Sequence, residues 1–126
     1  MNRIWAALAI LVVLFSISIW GAYEVDRMTG EVSEMLVQVQ NSIDSGDKEN
    51  SKVIIKDAVE TWHGYHHIMS FFIPHERLET VSQSLSTTKS FLETGTQDEA
   101  RAECSRAMNQ IHTLKDTEMP YPNNIL

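Results

Sequence analysis

A single cysteine, Cys104, in 126 residues leaves no internal disulfide to form, so a disulfide-stapled scaffold is excluded. Five glycines and three prolines are too few for a collagen-like or flexible low-complexity chain. Positive charge is scarce as well. Ten Lys and Arg stand against seventeen Asp and Glu, a net charge of −7. A nucleic-acid-binding face needs the opposite balance to replace phosphate counterions. The length allows one small core and excludes a multidomain enzyme. No Ser/His/Asp arrangement, Gly-rich phosphate loop or multi-cysteine metal signature occurs, and no strand-like alternation. No catalytic residue, no bound cofactor and no nucleic-acid partner are expected.

What is present begins at the N-terminus. From Ile4 to Trp20 no side chain ionises, and the run continues through Gly21, Ala22 and Tyr23. A helix over Ile4–Tyr23 is about 30 Å long, the thickness of a bilayer's hydrocarbon core. Trp5 at one end, with Trp20 and Tyr23 at the other, have the placement of interfacial aromatic belts. Arg3 precedes the run, and Glu24 and Asp26 follow it. The positive-inside rule then puts the N-terminus in the cytoplasm and residues 24–126 outside the cell membrane, in a single pass. The competing reading is a cleaved signal peptide, but Trp20 or Ile19 would stand badly at the third-from-last position of its cleavage site. No cysteine for lipid attachment follows the run.

Beyond Tyr23 the apolar residues become periodic. Val25, Met28, Val32, Met35, Leu36, Val39 and Ile43 form one helical stripe. Val53 or Ile54, Ala58, Trp62, Tyr65, Met69 and Phe72 form a second, ended by Pro74, which disfavours helix at Ile73. Leu78, Val81, Leu85, Phe91 and Leu92 form a third; Ala100, Cys104, Ala107, Met108, Ile111 and Leu114 form a fourth. Gly46 and Gly95 suit left-handed turns between helices, Asp47 can cap the second helix, and Thr96 to Glu99 has the form of a capping box. The expected fold is all-α: an N-terminal transmembrane helix over 1–23, an antiparallel four-helix bundle of two helical hairpins over 24–116, and an extended tail over 117–126. Anchor and first bundle helix are nearly continuous, with Gly21 as the bend. The hairpins echo one another at an offset of 49 residues: Val32 with Val81, Leu36 with Leu85, Ile43 with Leu92, Gly46 with Gly95, Ala58 with Ala107, His63 with His112. Any two amphipathic hairpins with a Gly turn could match as well.

This order of features resembles a family of small, singly anchored bacterial proteins catalogued as a domain of unknown function. The resemblance spans essentially the whole chain. It is carried by Gly46-Asp47, Trp62, Phe71-Phe72-Ile73 with His75-Glu76, Ser84-Leu85, Lys89, Phe91-Leu92 and Asn124-Ile125-Leu126. It implies an all-helical extracytoplasmic domain and assigns no activity.

Chemistry has one foothold: four of the five histidines lie between positions 63 and 75. On a helical wheel Glu60, His63 and His67 share the outer strip of the second helix, with His66 at its boundary. Two histidines four residues apart, with a carboxylate one turn earlier, can hold a zinc or copper ion at the surface. A buried di-metal centre is not expected, because such a centre needs these side chains to point inward from all four helices. Solvated histidines without a ligand are the plain alternative, and a pH response near the ordinary histidine value is another use of the cluster. Phe71, Phe72 and Ile73 are three consecutive apolar residues that one helix cannot bury together. They either cover the turn or, with His75 and Glu76, form an exposed interaction patch. His75 and Glu76 also suit the chemistry of a helix start. Cys104 reads as core packing, with a disulfide-linked dimer as the minor option. The leading expectation is a helical interaction module that contacts the lipid bilayer through Ile4–Tyr23 and binds a membrane or envelope protein or itself, as a homo-oligomer. The alternative is a metal- or pH-responsive sensor built on the His63–His67 strip.

Overall fold

The computed structural model describes residues 2–118, with side chains to residue 114. It is all-α, four helices with no strand among the described residues: α1 (Asn2–Asp44), α2 (Lys48–Met69), α3 (His75–Thr94) and α4 (Gln97–Glu118). Thr117 and Glu118, the first two residues of the expected tail, are helical and belong to α4. The rest of that tail lies outside the described residues.

α1 has 43 residues and measures about 65 Å. Every side chain from Asn2 to Trp20 is exposed. From Gly21 onward one stripe is buried, comprising Gly21, Val25, Met28, Thr29, Val32, Leu36, Val39 and Ser42. One helix is thus bare and apolar in its first half and a packed strut in its second. It is long and apolar enough to cross a membrane by length and composition. The helix runs through Gly21 unbroken, and that residue has a packing role, described below.

Each helix packs on its neighbours in the chain, and α1 closes the ring against α4. The second stripe differs from expectation by one position: Ile55 is fully buried, Val53 is exposed and Ile54 is intermediate. Ser51 and Trp62 flank Ile55 at helical spacing, and a stripe through 51, 55, 58 and 62 leaves 53 facing solvent. Polar residues also enter the core. Thr29, Ser82 and Thr88 donate their hydroxyls to the carbonyls of Val25, Leu78 and Ser84 at 2.7, 3.1 and 2.8 Å, so burial leaves none of these groups unpaired. Trp62, 1 % exposed, donates its indole N–H to Ser82 Oγ at 2.8 Å.

The two hairpin turns repeat one another bond for bond. Gly46 and Gly95 have φ of 80° and 81°. The N–H groups of Gly46 and Asp47 bond to Ile43 and Ser42; those of Gly95 and Thr96 bond to Leu92 and Phe91. These are Schellman closures, in which a residue of positive φ lets the chain satisfy its last free carbonyls. Asp47 caps α2 by accepting the Asn50 N–H at 3.1 Å. The 49-residue echo is therefore structural: Val32 and Val81, Leu36 and Leu85, and Ala58 and Ala107 are buried pairs, while His63 and His112 are both exposed.

Candidate functional site

The unusual side chains gather at the corner between α2 and α3. α2 ends at Met69, three residues earlier than the stripe suggested. Successive N–H groups from Ser70 to Ile73 fold back on His66, Ile68 and Met69. Pro74, at φ −55° and ψ 138°, then starts α3 in the extended conformation that its ring prefers.

Because Phe71, Phe72 and Ile73 leave the helix, they go three ways. Ile73 is 2 % exposed and belongs to the core; Phe71 is 73 % exposed. Phe72 turns onto α1 and sets its ring against Gly21, so closely that a Cβ there would come within 2.2 Å of it. Trp20 meets the same ring edge-on at 6.4 Å between centroids. The glycine is a seat for an aromatic ring. The corner consequently lies at the border between the bare half of α1 and the bundle. The expected patch is reduced accordingly: Phe72 and Ile73 are taken inward, while Phe71, His75 and Glu76 remain exposed.

The histidines sort by the same corner. Glu60, His63 and His67 are exposed on the outer face of α2, and His67 meets the Phe71 ring at 5.5 Å. The trio whose ligand atoms converge is a different one: His66, His75 and Glu79, with one ligand atom from each lying within 4.8 Å of the others. The Glu79 carboxylate is 3.7 Å from Nε2 of His66 and of His75. The two rings stand nearly perpendicular, 5.4 Å apart. Distances of 3.7 Å exceed a hydrogen bond, and Nε2 of His66 is buried without a partner. A buried unpaired polar atom costs about 1–3 kcal/mol, so this nitrogen is the conspicuous one in the corner. His66 comes from the last turn of α2; His75 and Glu79 sit one turn apart at the start of α3. Glu79 was not singled out from the sequence, although its spacing of four from His75 was a usable signal.

Elsewhere the groups are structural. The Cys104 thiol is buried, donates to the Leu36 carbonyl at 3.4 Å, and is pushed up to about 12 by burial. It is protonated and unreactive at neutral pH. Outside the core, Tyr65 donates to Glu31 at 2.5 Å, which raises the phenol above its ordinary value, and Arg27 lies 5.9 Å over its ring. An open groove of about 620 Å³ runs between α3 and α4. Its described walls, Arg77, Thr80, Arg106, Asn109 and Gln110 among them, offer no carboxylate or imidazole to act as a base.

No curated protein and no solved structure matches the chain at a significant level. A family does: its match starts at Ile19, in the last turn of the apolar run, and takes in the seat of Phe72, both Gly turns and the histidine corner. Over residues 19–125 the chain belongs to the family described as Domain of unknown function (DUF4363).

Proposed function

We propose that the chain is a single-pass membrane protein, with its N-terminus in the cytoplasm. In this reading the bundle is held against the outer surface as a non-enzymatic interaction module. The observation that carries the reading is the single unbroken α1. Its apolar residues from Ile4 to Trp20 are exposed all round, while the same helix is packed from Gly21 onward. Seventeen consecutive apolar or hydroxyl side chains without cover demand a nonpolar surrounding, and lipid supplies it. A removable signal sequence fits less well, because Trp20 and Gly21 take part in the packing of Phe72.

The contact surface in this reading is the membrane-proximal corner, where Phe71 is 73 % exposed beside Ile68 and the His67 ring. A large ring held out by a tight turn is the kind of anchor that interfaces bury. The partner is a membrane or envelope protein close to the bilayer, or a second copy of the chain.

Two measurements test this. Membrane fractionation with protease added from outside should find the chain in the membrane and its bundle accessible; intact chain in the cytosol refutes the placement. A photo-crosslinker at position 71 should give a discrete protein adduct. Recovery of monomer and lipid adducts alone refutes the interaction role.

A further inference from the structure

We propose that His66, His75 and Glu79 form a binding site for a divalent transition-metal ion of the zinc class, clipping the end of α2 to the start of α3. Two imidazoles and one carboxylate are a ligand set of intermediate softness. Such a set suits zinc, copper, nickel or cobalt, and is poor for calcium or magnesium, which take oxygen donors.

The geometry is close to what an ion needs. Metal–ligand bonds of about 2.0–2.1 Å in a tetrahedron hold neighbouring ligand atoms roughly 3.4 Å apart. Here Glu79 lies 3.7 Å from each imidazole nitrogen, and the three ligand atoms span at most 4.8 Å. A few tenths of an ångström of side-chain rotation closes the first two gaps. His75 and Glu79 are on the exposed side and free to make that movement, whereas His66 is held by the corner.

Two further features support the assignment. Nε2 of His66 is buried without a hydrogen-bond partner, and a metal bond satisfies it. The ligands come from two helices, so the ion crosses the turn and does not merely decorate one helix face. The dipoles of the two helices offset one another: the end of α2 attracts a cation and the start of α3 repels it, leaving the Glu79 charge to decide. Three protein ligands leave the fourth position to water. The site is independent of membrane placement, and its failure would leave the interaction reading untouched.

The test uses the full chain in detergent micelles, stripped with chelator and titrated with zinc chloride at pH 7.5. One equivalent should bind. At a hundredfold excess over Kd the melting temperature should rise by roughly 10–20 °C. The His66 and His75 ring resonances should move together, and hydrogen exchange across residues 70–74 should slow. His75→Gln and Glu79→Gln, both at exposed positions that spare the core, should each weaken binding at least tenfold; His66→Gln should abolish it. His63→Gln and His67→Gln should leave it unchanged. Absence of zinc binding by the unmodified chain overturns the proposal. So does binding that survives loss of His75 and Glu79 but disappears with His63 and His67.

Discussion

Replacing Gly21 with alanine probes the join between the bare and packed halves of α1. An alanine Cβ would stand 2.2 Å from Cε1 of Phe72, 2.5 Å from Cζ and 2.7 Å from Cδ1. Carbon atoms settle at about 3.5–4.0 Å, so the ring would have to withdraw by more than about 1 Å. It is partly buried against the core and braced by Trp20, so withdrawal loses packing. Such overpacking costs about 1–3 kcal/mol. Opposing it, alanine is better than glycine inside a helix by about 1 kcal/mol. Gly21→Ala should therefore destabilise the bundle by about 1 kcal/mol in the parent chain. With Phe72→Ala the obstruction is gone and the helix preference alone remains, so the same substitution should stabilise by about 1 kcal/mol. The sign reverses, a coupling of about 2 kcal/mol between the two positions. Thermal melts followed by circular dichroism on the four proteins of the cycle, in detergent micelles, would resolve it, since 1 kcal/mol is about 4–8 °C for a domain of this size. The same sign in both backgrounds refutes the seating of Phe72 on Gly21.

Gly46→Ala and Gly95→Ala should each cost about 1–2 kcal/mol, because both turns place the residue at positive φ. The two losses should agree within about 0.5 kcal/mol and add in the double variant, which denaturant unfolding would measure. Trp62→Phe removes a buried donor from Ser82 and leaves a small void, for an expected loss of about 2 kcal/mol by the same assay; no measurable change would contradict the buried bond. Cys104 should resist thiol reagents in the folded chain at pH 8 and react on unfolding. Its folded value lies above the ordinary 9.0, at about 12, so the folded state holds the thiol proton more tightly. The stability this provides is complete below about 9.0 and declines as pH rises towards about 12. A melting temperature that climbs through that alkaline range would contradict the sign.

The candidate site was half legible. The clustering of four histidines marked the right stretch, and a wheel of α2 correctly put Glu60, His63 and His67 outside with His66 at the edge. The wheel considers one helix at a time, so the convergence of His66 with His75 and Glu79 across the corner is invisible to it. Phe72 packs against the core as its stripe predicts, but from beyond the end of the helix. The stripe assumed that α2 continues to Pro74, whereas the carbonyls of His66, Ile68 and Met69 are closed by a turn that starts at Ser70.

Local rules in the chain sufficed for the all-α architecture, the four helices, the Gly-centred turns and the uncharged run at the front. Helical periodicity, positive-φ glycines and side-chain ionisation act over a few residues and need no neighbour. Contacts between distant segments settled the rest: the ring of Phe72 over Gly21, the thiol of Cys104 against Leu36, the carboxylate of Glu79 between two imidazoles. Each joins residues that no periodicity relates, and each depends on how far a helix runs before it turns. That distance is set by the packing of the whole bundle, in which burial of Met69 and Ile73 outweighs one more turn of α2.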